Sequence, residues 1–333
     1  MNDMRTVVFT TAVAISCSIL YLVWRKRRCM SNWKEVAIVD KLFIHPVKSC
    51  RGISVDNFVA TEKNVMLSNS DIGDRTFMMV HEYGRFATIR QFPQMVLIKA
   101  SIIGINKLRL EAPGMRAFEI EIPIHGSGKV LNYKVWGTRC PGVDCGDEAA
   151  AWLAEFTGVN TARLVFHNKQ LPSREGTKLL EFGHLGVYSE TTTKSTFQDY
   201  SPFNLVSQAS VDLLNTKLDG DHQVTERNFR PNVLLKGCSA FAEDNWKRIK
   251  IGSAEFVFAK HCTRCHVTTV NPETGIKDED LNTLKTLSTF RMCKPEERPL
   301  YGIAPKFSVD FVNIKPGEIS VGDKVYLFED DNN

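Results

Sequence analysis

The sequence predicts an α+β fold, mostly β, with a few helices packed on barrel-like sheets behind one membrane-spanning N-terminal helix. Three observations predict it. Most apolar stretches are short, rich in Val, Ile and Phe, and bounded by turn residues. Only three segments carry helical periodicity, and residues Thr6 to Trp24 hold no charge at all. At 333 residues and 43% hydrophobic, with ordinary Gly and Pro content and no internal repeat, the chain can bury a large globular core.

The uncharged run Thr6 to Trp24 is long enough to cross a bilayer. Arg25-Lys26-Arg27-Arg28 follows it, whereas Arg5 upstream is offset by Asp3, so the positive-inside rule places the C-terminal body in the cytosol. A cleaved signal peptide or a buried core helix is the alternative reading, and the basic run after the apolar core favours an uncleaved signal-anchor. Residues 1–34 carry six basic side chains against Asp3, a net of +5, so of the total of +4 the body holds about −1. The basicity belongs to the membrane flank. With no basic face and no RNP-like, zinc-finger or helix-turn-helix pattern in the body, nucleic-acid binding is not expected.

Past this 1–34 segment, a first region at 35–165 reads as mainly strands. Val36 to Ile44 ends at His45-Pro46, and Arg75 to Val80 pairs with Phe86 to Arg90 around Glu82-Tyr83-Gly84-Arg85. Val96 to Ile103 and Lys107 to Glu111 flank Gly104 as a second hairpin, and Phe118 to Ile122 and Val130 to Trp136 add strands. Asp147 to Thr157 reads as a helix, with acids in its first turn, Trp152 and Phe156 one turn apart, and Gly158 as its stop.

The second region, 166–330, opens with the polar stretch Gln170 to Thr196, a long surface connection. A helix is expected over Ser207 to Leu218, ended by Gly220, then strands at Val233 to Leu235 and Ile251 to Lys260. A short helix carries Leu281, Leu284 and Leu287, and Lys324 to Phe328 is the closing strand.

The densest chemistry is His261-Cys262-Thr263-Arg264-Cys265-His266, followed by the turn segment Asn271-Pro272-Glu273-Thr274-Gly275. Thiolates prefer soft metals, and a Cys-x-x-Cys pair serves as half a zinc site, a redox dithiol, or one ligand beside a bystander. Zinc lacks a second such pair, the nearest candidates being Cys140 and Cys145. A thioredoxin-like site belongs at a helix start, whereas this pair follows the strand-like Ala254 to Lys260. Two buried structural cysteines remain a further reading. His261 and His266 read as packed or hydrogen-bonded residues rather than catalytic acids. Nine scattered cysteines, an odd number, fit a reducing compartment better than a disulfide framework.

Three basic motifs stand where strands meet loops: His45-Pro46-Val47-Lys48-Ser49-Cys50-Arg51-Gly52, Gly73-Asp74-Arg75, and Asn228-Phe229-Arg230-Pro231-Asn232. Their cations suit a phosphate, with Ser49 or Asn232 adding neutral hydrogen bonds. Any one alone reads more readily as a surface charge or an Arg satisfying carbonyls.

In this order, together with Arg264-Cys265-x-x-Thr-Thr-Val-Asn-Pro-Glu-Thr-Gly and Leu300-Tyr301-Gly302, these motifs resemble the MOSC-domain family of molybdenum-cofactor proteins. Residues 36 to 328 resemble its amidoxime-reducing branch. The resemblance implies an N-terminal MOSC β-barrel-like domain and a MOSC β-barrel domain carrying the molybdenum cysteine. It implies that Cys265 ligates molybdenum while Cys262 does not. It also implies that Lys48, Ser49, Arg75, Ser201, Arg230 and Asn232 hold the cofactor's pterin and phosphate, with the backbone at Thr263 and Arg264 close to it. Two positions depart from the family pattern: Tyr200 replaces a small hydroxyl residue, and Asp310 replaces an aromatic.

The activity implied is two-electron reduction of amidoximes, hydroxamic acids or hydroxylamines to amine-level products and water. No Rossmann, haem or iron-sulfur pattern is present, so electrons come from outside. The resemblance implies cytochrome b5 and NADH-cytochrome b5 reductase as partners, on the cytosolic face of the mitochondrial outer membrane. The rival readings are a sulfurtransferase that uses Cys265 as a persulfide carrier and a non-catalytic, membrane-tethered cofactor carrier.

Overall fold

The computed structural model describes residues 32–122, 129–175 and 194–329. The Thr6 to Trp24 span lies outside them. Among the described residues no helix is long and apolar enough to cross a membrane.

Two barrels, with three small sheets beside them, make up the described fold. In the larger, Trp33–Ile44 pairs with Lys324–Phe328 on one side and Val233–Lys236 on the other. The circuit then runs through Phe203–Ser207, Lys306–Lys315, Ala254–Thr263 and Arg248–Ile251 back to Lys324–Phe328, closing seven strands on themselves. Leu42, Ile44, Phe203, Phe256, Phe311 and Val325 fill its interior. The Phe203 and Phe256 rings stack at 4.1 Å, and burying each such side chain contributes roughly 1.5–3 kcal/mol. The first strand of the chain is therefore completed by strands from its second half.

The smaller barrel closes five strands: Phe77–His81, Arg85–Phe86, Val130–Val135, Thr138–Asp144 and Arg163–Phe166. Helix Asp147–Thr157 has the expected ends and packs Trp152 and Leu153 into the same core as Leu164 and Phe166, with Gly158 at φ 75° stopping it.

Several elements differ from their sequence readings. Phe86 to Arg90 is a strand only at Arg85–Phe86, and from Ala87 onward the chain leaves the barrel. Val96 and Leu97 belong to the 3-10 turn Pro93–Leu97, where Pro93 fixes the first φ, and the strand is Lys99–Ile103. The second helix covers Gln208–Asn215 and is capped by the Ser207 hydroxyl, while Leu218 and Gly220 lie past its end.

Ile251 to Lys260 is the hairpin Arg248–Ile251 and Ala254–Thr263, turned at Gly252. There φ is 55° and an added Cβ would stand 2.4 Å from the Glu318 carbonyl. In the Gln170 to Thr196 stretch, Arg174–Glu175 pairs with Lys194–Ser195, and the residues between lie outside the described ones.

Strands Arg163–Phe166 and Phe203–Ser207 escaped periodicity reading, as did Thr138–Asp144 and Lys306–Lys315. In the last of these Phe307, Val309 and Phe311 are fully buried, but Ser308 and Asp310 alternate with them, also buried. Polar residues facing an internal cavity look like loop residues in a sequence.

Candidate functional site

A cavity of about 470 Å³ opens where loops of the two barrels meet. The larger barrel supplies Lys48 and Ser49 from the loop after its first strand, Ser201 and Arg230 from two later loops, and Lys260, Asp310 and the cysteine segment from adjacent strands. The smaller barrel supplies Arg75, Thr88, Arg90 and Trp136. Eight of the nine nominated site residues line this one space: Lys48, Ser49, Arg75, Ser201, Arg230, Thr263, Arg264 and Cys265.

Its cations are held in place by protein groups. The buried Asp74 accepts from the His45 backbone N–H at 2.9 Å and pairs with the Arg75 guanidinium. Burial opposes ionisation of Asp74, yet the Arg75 charge and the His45 bonds keep its carboxyl far below the usual range. His45, desolvated and close to Arg230 and Arg75, is driven down to about 3 and is neutral at physiological pH. Lys48 is 4% exposed and contacts Asp199 at 2.5 Å; burial lowers its pKa, and Asp199 works against that.

Arg230 donates from Nη1 to the Cys50 carbonyl at 2.6 Å, whereas its buried Nη2 has no hydrogen-bond partner among the described residues. Burial, reinforced by the Arg75 charge, lowers Arg230 to about 10. A desolvated guanidinium nitrogen pointing at no acceptor is costly unless an anion occupies the cavity. Ser49, Arg75 and Arg230 hold φ of 71°, 51° and 56°, a left-handed conformation unfavourable for non-glycine residues. Such strain collects at ligand sites.

The cysteines occupy different places. Cys262 is the penultimate residue of the Ala254–Thr263 strand, and burial pushes its thiol up to about 11. Cys265 is half-buried just beyond the strand, and its sulfur accepts a hydrogen bond from Arg90 Nη1 at 3.4 Å. Between them, Arg264 turns its side chain into the protein. Nε donates to the Phe307 carbonyl at 2.7 Å, Nη1 to the Phe229 carbonyl at 3.0 Å, and Nη2 to the Ser308 hydroxyl. Arg264 thus clamps the Cys265 segment onto the neighbouring strand, leaving its backbone beside the cavity.

The ninth nominated residue lies behind the cavity wall. Asn232 is 1% exposed and does not line the cavity; its side chain accepts from the Asn204 N–H and donates to the Phe43 carbonyl. These bonds hold the loop that carries Arg230.

Sequence reasoning missed Arg90, Trp136, Asp199 and Lys260. Trp136 stands 5.1 Å from the Arg90 guanidinium and donates its indole N–H to Asp199 at 2.7 Å. Lys260 lies 4.0 Å from the Tyr200 ring and is cross-strand neighbour to Asp310, so both family departures sit on one cavity wall. Asp310 accepts from Asn204 at 2.7 Å, and burial raises its carboxyl. Among the described residues no three His, Cys, Asp or Glu side chains converge as a zinc site requires, and all seven described cysteines are free thiols.

Comparison with known proteins agrees with this arrangement. Residues 36–160 match the MOSC N-terminal beta barrel domain and residues 192–326 match the MOSC domain. The chain is 36% identical over 312 residues to mitochondrial amidoxime reducing component 2 of Rattus norvegicus, covering 93% of this chain and 89% of that protein. The chain belongs to the MOSC-domain amidoxime reducing components.

Two further members of that family are similar over comparable spans. Mitochondrial amidoxime-reducing component 1 of Mus musculus is 34% identical over 308 residues, covering 92% of this chain and 87% of that protein. The corresponding component 2 of Homo sapiens is 35% identical over 315 residues, covering 95% and 90%. Both MOSC matches contribute to the cavity, since Lys48, Arg75 and Arg90 lie in the first and Arg230 and Cys265 in the second.

Proposed function

We propose that this chain, a molybdenum-cofactor-dependent oxidoreductase of its family, reduces N-hydroxylated compounds such as amidoximes, hydroxamic acids and hydroxylamines. The overall change is R–NH–OH plus two electrons and two protons to R–NH2 and water. One observation carries the reading. Half-buried Cys265 and buried Arg230, whose Nη2 has no hydrogen-bond partner among the described residues, line the same cavity, which suits a single ligand that offers a soft metal at one end and an anion at the other.

The molybdenum cofactor meets both demands, and when bound it supplies the two-electron redox chemistry. Cys265 is the residue to hold the metal, with Arg90 donating to its sulfur. Lys48, Arg75 and Arg230 would bind the phosphate, with Ser49 and Ser201 as hydroxyl partners. The Ser49 hydroxyl donates to the Ala87 carbonyl and its oxygen remains free to accept, whereas the Ser201 hydroxyl donates to the Phe311 carbonyl, accepts from the Phe203 N–H and keeps one further lone pair. Asn232, Arg264 and Asp74 act through other residues by fixing Arg230, Cys265 and Arg75.

Electrons come, in this reading, from cytochrome b5 and NADH-cytochrome b5 reductase. The 1–34 segment anchors the body on the cytosolic face of the mitochondrial outer membrane, where confinement raises the effective concentration of such partners. The mitochondrial naming of the relatives and the uncharged Thr6 to Trp24 run with its basic flank support this placement.

The test is metal analysis of protein purified from a host that makes the cofactor, paired with benzamidoxime reduction by reduced methyl viologen. Stoichiometric molybdenum with turnover supports the proposal. Sulfane sulfur on Cys265 without molybdenum would mark a persulfide carrier, and molybdenum without turnover would mark a cofactor carrier.

A further inference from the structure

The Cys265 cavity has a neighbour. A cleft of about 760 Å³ shares Thr88, Arg90 and Trp136 with it, so one elongated ligand can reach both. Two aromatic residues in left-handed backbone conformation flank the cleft. Tyr83 has φ 56° and is 95% exposed; Trp136 has φ 50° and is 53% exposed. Both stand in hairpin turns whose geometry demands a positive φ and favours Gly, Asn or Asp, so large exposed rings there are unusual, and a ring-binding surface accounts for them.

The charge of the cleft is one-sided. Its lining includes Arg85, Arg90 and Lys134 and no acidic residue. Arg85 and Lys134 are neighbours in parallel register, both exposed, and neither has an ion-pair partner among the described residues. Arg90 is occupied with the Cys265 sulfur and the Trp136 ring. Arg85 and Lys134 are therefore the cations free for a ligand, placed beside two exposed rings and one shared wall away from the metal-binding thiol.

We propose that this cleft binds the distal part of an elongated aromatic N-hydroxylated substrate that carries a carboxylate, with Tyr83 and Trp136 taking the ring and Arg85 and Lys134 the anion. The inference rests on the N-reductive reading above. It adds a substrate preference that the cofactor-holding residues do not set.

The test uses full-length holoenzyme with reduced methyl viologen and three substrates: benzamidoxime, biphenyl-4-carboxamidoxime, and its 4′-carboxy analogue. The parent should favour the carboxylated biphenyl. The Arg85→Ala/Lys134→Ala double variant should lose about tenfold in kcat/KM on that compound, through KM, while the two uncharged substrates stay within about twofold. Both positions are exposed, so the fold should tolerate the change. A second readout needs no turnover: biphenyl-4-carboxylate, which has no N–O bond, should bind the parent and bind the double variant about tenfold more weakly, with the difference shrinking as salt rises.

Equal losses on all three substrates, or unchanged affinity for biphenyl-4-carboxylate, would overturn the inference. So would a loss confined to assays with a protein electron donor, which would make this face a docking surface for an acidic partner. If the parent reduces no amidoxime yet binds biphenyl-4-carboxylate through Arg85 and Lys134, the aromatic-acid subsite stands and the N-reductive reading fails.

Discussion

Arg90 Nη1 donates to the Cys265 sulfur at 3.4 Å, joining the loop that leaves the smaller barrel to the cysteine segment of the larger across 175 residues of sequence. A cation that donates to a thiolate stabilises its charge and withdraws electron density from any metal it binds. Arg90→Gln should therefore make the bound metal harder to reduce and lower turnover by about tenfold, with Arg90→Lys recovering part of both. A redox titration followed by electron paramagnetic resonance reads the shift. An unchanged midpoint in Arg90→Gln would show that the contact has no electronic role.

The two neighbouring cysteines should separate cleanly. Cys262, pushed up to about 11 by burial, is a neutral thiol at physiological pH, a poor ligand for a soft metal. Cys265→Ser should abolish N-reduction and Cys262→Ser should retain much of it. Comparable loss of molybdenum and activity in both variants would instead indicate a two-cysteine site.

Arg230 should govern occupancy rather than chemistry. Losing one charge-assisted contact costs roughly 1.5–3 kcal/mol, about one to two decades in binding. Under limiting cofactor, Arg230→Ala should lower molybdenum content while turnover per bound molybdenum stays within a few-fold of the parent. Elemental analysis and benzamidoxime reduction on one preparation give both numbers. Full occupancy with turnover lost would place Arg230 in the reaction itself.

Acid should destabilise the protein through His45. Its folded pKa, near 3, lies below the ordinary 6.5, so between those values the unfolded chain takes up a proton that the folded chain refuses. Stability from this group is full above 6.5 and is lost as pH falls; Asp74, also depressed, acts in the same direction at lower pH. At pH 5 the His45 contribution to the loss is about 2 kcal/mol. Urea unfolding at pH 7 and pH 5 should show that difference in the parent and a smaller one in His45→Gln.

A chain beginning at Asn32 should be soluble, folded and active with an artificial reductant, because the barrel begins pairing at Trp33 with Phe328. Pelleting with membranes after a high-salt wash would reveal a second membrane-binding surface on the body.

The sequence by itself determined the elements whose signals are local. Helix Asp147–Thr157 carries its acids, its aromatic pair and its Gly158 stop within a dozen residues, and Lys324–Phe328 is a β-prone run of Val, Tyr, Leu and Phe behind Gly322. The motifs also marked most of the candidate site, because Lys48, Arg75, Arg230 and Cys265 each stand at a strand end within a distinctive local run. Only the tertiary structure decided the rest. Asn232 belongs to a motif yet spends its amide on Asn204 and Phe43, and Arg264 spends its guanidinium on Phe229, Phe307 and Ser308. Arg90 lies in an undistinguished run, and barrel closure alone brings it to Cys265. The Lys306–Lys315 strand went unread because its cavity-facing side is polar. Hydrophobic periodicity reports which face avoids water, but not which polar face turns inward to meet a ligand.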